Sequence, residues 1–119
     1  MPSRWELPTD RMPTEHEEQR DFVRWMRQEW PQHRVFAIPN GGSRRKAEAA
    51  KLKAEGVTRG VPDLFIPSLG VFIEMKTQKG GRTSPEQDDW IDYLTRNGFR
   101  AAVCRGSEEA KAFALEAMR

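Results

Sequence analysis

A single cysteine and two histidines in 119 residues rule out an internal disulfide and leave no zinc-binding pattern. Cys104 follows the apolar run Ala101-Ala102-Val103, a setting that suits a buried structural thiol rather than a nucleophile. Long apolar runs are missing as well, so no segment is expected to span a bilayer and no membrane partner is expected. The N-terminus lacks the apolar core of a secretory signal, and a cytoplasmic, reducing compartment is the expectation. Internal repeats and low-complexity tracts are absent too. With 32% charged residues and a mean hydropathy of -0.80, the composition fits one soluble domain with a modest core of its own.

Net charge is only +2, but it is unevenly spread. Residues 1–33 carry 5 Lys and Arg against 7 Asp and Glu, residues 34–60 carry 7 against 2, and residues 61–119 carry 8 against 9. The basic middle segment contains Arg44, Arg45, Lys46, Lys51, Lys53 and Arg59. Such a surface suits a polyanion such as DNA, although any one of these residues is equally well a solvated helix side chain.

Residues 1–13 contain Pro2, Pro8 and Pro13 without periodicity and read as an extended arm ahead of a single domain over 14–119. Thr14 is placed as an N-cap with Glu17 three residues on, and Phe22, Val23, Met26 and Trp30 form an apolar stripe. The first helix is therefore expected over about 14–29, ending before Pro31. Residues 34–38 read as a strand. Asn40, Gly41 and Gly42 then form either a tight turn or a loop that lets backbone approach a phosphate, since Ser43 opens a helix whose N–H groups attract anions. Arg44 and Arg45 would oppose that helix's dipole, which points to an anionic partner. This second helix is expected to run through Glu55, with Gly56 as its stop.

Leu64-Phe65-Ile66 and Val71-Phe72-Ile73 read as two short strands joined by the turn Pro67-Ser68-Leu69-Gly70. Antiparallel pairing about that turn sets Asp63 opposite residues 74 to 76, and Glu74 and Lys76 share a face. Two carboxylates this close repel unless a cation lies between them, and an all-oxygen site suits Mg²⁺ or Mn²⁺. A lysine there orients or helps deprotonate an attacking water, which is the chemistry of phosphodiester hydrolysis. The spacing alone is equally compatible with a solvated acid–base pair on a hairpin.

Beyond the hairpin, Lys79-Gly80-Gly81-Arg82 is a flexible loop whose cations are candidates for DNA contact. Ser84 caps a third helix with Pro85 at its first position and Gln87 completing a capping box. That helix runs to Asn97-Gly98 and places Trp90, Ile91 and Leu94 in the core. Residues 99–105 form a further strand, and Ser107 caps a last helix carrying Ala110, Phe113, Ala114 and Leu115 inward.

The blocks Glu17-Glu18-Gln19, Pro39-Asn40-Gly41-Gly42, Gly60-Val61-Pro62-Asp63-Leu64, Ile73-Glu74-Met75-Lys76 and Ser84-Pro85-Glu86-Gln87 resemble the VRR-NUC family of the PD-(D/E)XK nuclease superfamily. The resemblance runs from about Glu15 to Arg105. It implies an α/β/α sandwich around a small mixed sheet, the restriction-endonuclease-like fold, and the element order αβαββαβα fits it. It further implies that Asp63 and Glu74 bind Mg²⁺ or Mn²⁺ with help from the Met75 carbonyl and from Glu17, with Glu18 as the alternative first-helix acid. On the same resemblance, Lys76 contacts the water nucleophile and Gln87 lies near the active site. The activity implied is endonucleolytic cleavage of DNA, with a homodimer acting on branched substrates such as Holliday junctions. A nuclease acting on linear duplex and a non-catalytic nucleic-acid-binding module on the same fold remain alternatives.

Overall fold

The computed structural model describes residues 11–39 and 45–119. Helix α1 (Glu15–Glu29) begins at Thr14, whose hydroxyl accepts from the Glu17 N–H while the Glu17 carboxylate accepts from the Thr14 N–H. Its inward side carries Glu18, Phe22 and Met26, at intervals of four residues. Strand β1 (Phe36–Ala37) is only two residues long and lies at the sheet edge, shorter than the expected span. Helix α2 (Lys46–Ala54) buries none of its residues, consistent with its lysine-rich composition. Ser43, proposed as its cap, lies outside the described residues, and Arg45 occupies the cap position without a side-chain hydrogen bond.

Strands β2 (Leu64–Ile66) and β3 (Val71–Lys76) form the expected hairpin. The connection at Pro67–Leu69 is a single 3₁₀ turn, closed by Gly70 at φ 63° and ψ 35°. That left-handed conformation is where glycine is favoured. Helix α3 (Pro85–Arg96) has the capping box of Ser84 and Gln87, and β4 (Arg100–Arg105) and α4 (Ser107–Ala117) complete the chain. Ser107 is not the cap of α4 but its first residue. Its N–H donates to the buried Glu18 and its hydroxyl is hydrogen-bonded to Asp21, so α1 carboxylates satisfy the start of α4.

The sheet order is β1-β2-β3-β4, antiparallel through the first three strands and parallel between β3 and β4. The αβαββαβα order read from the sequence is the observed one. Alternation along the strands sends Leu64, Ile66, Val71, Ile73 and Met75 into one core with Phe22 and Met26 of α1 and Ala110 and Ala114 of α4. Cys104 joins this core as a free thiol, and burial raises its pKa to about 12, with Glu109 adding to the shift. On the other face, Phe36, Phe65 and Phe72 stand directly across from one another. Phe65 and Phe72 stack at 4.1 Å, and Phe99 meets Phe72 edge-on at 5.3 Å. Trp90, expected in the core, is half-buried against Tyr93, and Leu94 is the residue of α3 that is buried.

Candidate metal centre

The register Leu64↔Ile73 sets Asp63 across from Glu74, where the hairpin argument places it. β3 extends past the start of β2, so the Met75 N–H has no strand partner on that side. The Asp63 carboxylate takes it at 2.7 Å, while the Asp63 carbonyl accepts from Ile38 N–H at 2.7 Å. Both ends of the residue are thereby fixed. In an extended strand the N–H and C=O of one residue point to the same edge, so the Met75 carbonyl opens towards Asp63 as well. The approach to Asp63 is tight: Gly60, at φ 93°, lies so close to α3 that a Cβ there would sit 2.6 Å from the Glu86 carbonyl carbon. A glycine is required on both counts.

Glu74 shares its face of β3 with Phe72 and Lys76 and is 2% exposed. Its Oε2 accepts from Gln87 Nε2 at 3.2 Å, and its Oε1 is buried with no hydrogen-bond partner among the described residues. Burial pushes this carboxyl well above the usual carboxylate range, with Asp63 adding to the shift and Lys76 opposing it. Gln87 makes two contacts, its carbonyl accepting from Ser84 N–H at 2.9 Å while its amide donates to Glu74.

The first-helix carboxylate that meets this pair is Glu15. One oxygen each from Glu15, Asp63 and Glu74 lies within 4.8 Å of the others. The Glu15 carboxyl is raised, first by partial burial and then by Asp63, with Lys76 pulling it down. Glu17 is engaged elsewhere: besides its cap it pairs with Arg11 at 2.7 Å and 3.0 Å. The Arg11 hydrogen bond and the Thr14 backbone lower its pKa to about 2. The reason is helical geometry. At about 100° per residue, Glu17 is turned some 200° away from Glu15, whereas Glu18, Phe22 and Met26 return to within about 60° of it. Glu18 is on the right side but one turn deeper, holding Gln78 Nε2 at 2.8 Å and Ser107 N–H at 2.9 Å. Glu15 sits at the first helical position, a signal that the capping box on Glu17 already contained.

These residues fit a divalent cation. Oxygens around an ion with bonds of about 2.1 Å lie about 3.0 Å apart as neighbours and about 4.2 Å apart when opposite, so three carboxylates already within 4.8 Å of one another can close on one ion by side-chain adjustment. The unpartnered Glu74 Oε1, buried beside two other acids, is the kind of atom that a cation satisfies. Lys76 stands two residues along the same face, half-buried, at the rim of the cluster. The loop after it is held by Arg105, whose guanidinium donates to the Gly80 carbonyl at 2.5 Å and the Gly81 carbonyl at 2.8 Å. Lys79 and Arg82 flank those glycines and are exposed, as are Arg45 and Lys46. Asn40 and Arg44 lie outside the described residues.

A four-stranded mixed sheet between helices, with Asp63 and a Glu-x-Lys strand paired at one end, defines a nuclease-type domain of restriction-endonuclease-like fold. The chain belongs to the VRR-NUC family: the VRR-NUC domain matches residues 5–108. A solved structure of a VRR_NUC domain protein superposes with a TM-score of 0.74 at 24% sequence identity, covering 91% of this chain and 90% of that one. At that identity the likeness speaks for the fold. No curated protein matches the chain.

Proposed function

We propose that the protein is a metal-dependent endonuclease that hydrolyses phosphodiester bonds in DNA and prefers branched DNA such as a Holliday junction. The observation that carries this reading is the convergence of Glu15, Asp63 and Glu74, with an unpartnered buried oxygen, beside Lys76. Mg²⁺ or Mn²⁺ held there would stabilise charge developing on the phosphate and acidify a bound water. Asp63, fixed by the Met75 N–H, and Glu74, fixed by Gln87, are the central ligands; Glu15 and the Met75 carbonyl complete the protein's share. Lys76 orients the attacking water and neutralises the phosphate. Arg45, Lys46, Lys79 and Arg82, together with Asn40 and Arg44, contact the DNA backbone. The buried Cys104 thiol is compatible with the cytoplasmic setting proposed for the enzyme.

A homodimer is the proposed assembly. Phe36 and Phe99 are 49% and 37% exposed and extend the aromatic row on the sheet face that carries Glu74. A second copy meeting this row about a two-fold axis would bury it and present two active sites to one junction. Phe36→Ser is expected to shift sedimentation from dimer to monomer while leaving the helical circular dichroism spectrum unchanged. A wild-type protein that sediments as a monomer at all concentrations would remove the dimer from the account.

The activity is tested with a labelled four-way junction, a flap, plain duplex and single-stranded DNA, each in Mg²⁺, in Mn²⁺ and in EDTA. Paired nicks in the junction with either metal, abolished by EDTA, are the expected result. Equal cutting of every substrate would keep the nuclease and discard the branched preference. No cutting in either metal would leave a DNA-binding module on a nuclease fold.

A further inference from the structure

We infer that the outer face of α1 is a second DNA-backbone contact, which holds an arm of a branched substrate other than the arm being cut. This rests on the nuclease reading above. Arg20, Arg24 and Arg27 recur at intervals of four and three residues, so they form one row about 10 Å long. All three are exposed, and none of their guanidinium groups has a hydrogen bond or ion pair among the described residues. Arg20 and Arg24 repel each other across one turn, an arrangement that does nothing for the helix itself.

No acid of this face is left to pair with the row. Beyond Glu17, the outward positions flanking the row are Val23 and Gln28, which line the same shallow groove as the three arginines. The two acids next to the row are engaged elsewhere: Glu17, three residues before Arg20, pairs with Arg11, and the buried Asp21, three residues before Arg24, holds Ser107 and Lys111. A solvated helix face ordinarily interleaves both signs, as α3 does with Asp92 and Arg96. The row also continues: Arg27 borders a second groove with His33 and Arg34, at the approach to β1. Planar guanidiniums spaced along a track suit successive phosphates of a duplex.

Direction identifies the occupant. Glu15 turns inward to Asp63 and Glu74, whereas Arg20, Arg24 and Arg27 are rotated from it by about 140°, 180° and 120° around the same helix. A straight duplex seated at the metal centre does not also lie along that opposite side. A branched molecule reaches both.

The test uses Asp63→Asn as a binding-competent background, with and without the triple change Arg20→Gln, Arg24→Gln and Arg27→Gln. Glutamine keeps helix propensity, and a thermal melt confirms the fold. Dissociation constants for a four-way junction and for a short duplex are measured over a series of KCl concentrations. The triple variant is expected to weaken junction binding about tenfold or more and to lower the salt slope by up to about 2.7, since each phosphate contact contributes about 0.9. Short-duplex binding should change less than about twofold. Unchanged junction affinity and slope would overturn the contact, and equal loss on both substrates would overturn its assignment to a second arm. Cleavage by the wild type in Mn²⁺ reports separately on the nuclease reading, because the arginine row takes no part in the chemistry.

Discussion

Asp63→Asn and Glu15→Gln are each expected to lower cleavage by about a hundredfold or more, while Glu17→Gln retains cleavage within about twofold. The first two remove a charge from the three oxygens that converge within 4.8 Å. The third alters a carboxylate that faces Arg11 and the Thr14 N–H on the far side of the helix. Glutamine at that position also preserves the capping box, so the fold should be unaffected. Asp63→Asn can still accept the Met75 N–H through its amide oxygen, which is why DNA binding should survive the loss of cleavage. The measurement is kcat/KM on one branched substrate at saturating Mn²⁺ for the three variants. Equal loss in Glu15→Gln and Glu17→Gln, or loss in Glu17→Gln alone, would move the first-helix ligand back to position 17.

Glu74→Gln is expected to abolish cleavage and yet stabilise the metal-free protein. A carboxyl whose pKa is raised by folding favours its protonated form in the fold. Its contribution is therefore fully present below about pH 4.5 and is lost as pH rises through neutrality towards the folded value. In EDTA the wild-type melting temperature should fall across this window, and the variant should not show that decline. Near pH 8 the variant should be more stable by about 2 kcal/mol, and near pH 4 the two should coincide. Mn²⁺ reverses the order, stabilising the wild type and leaving the variant unmoved. A wild type whose metal-free stability is flat between these pH values would contradict the burial argument for Glu74.

Much of this site is legible before folding because it depends on short-range rules. A four-residue connection with Pro and Gly dictates the hairpin register, and the register alone brings Asp63 to Glu74. Capping boxes at Thr14 and Ser84 locate two helix starts to the residue. Gln87 illustrates how one side chain serves two ends, because its carbonyl faces the cap while its amide faces Glu74. The first-helix acid is less legible. Three glutamates at positions 15, 17 and 18 differ in local chemistry only by the cap, and the choice among them turns on which side of α1 meets the sheet. The inward direction is marked by Phe22 and Met26, and counting back from them selects positions 18 and 15, not 17. Ser107 escaped for the same long-range reason: the groups that satisfy the start of α4 come from Glu18 and Asp21, 89 and 86 residues away in sequence. The brevity of β1 follows from its edge position, where pairing with β2 alone sets its length.

The central claim is that one divalent cation is held by Glu15, Asp63 and Glu74. Crystals grown with Mn²⁺ and measured at a wavelength that excites manganese test it most directly. The account predicts an anomalous peak bonded to all three carboxylates and to the Met75 carbonyl, absent in crystals of Asp63→Asn. A peak coordinated by Glu17 in place of Glu15, or no peak beside Glu74 at saturating Mn²⁺, would contradict it.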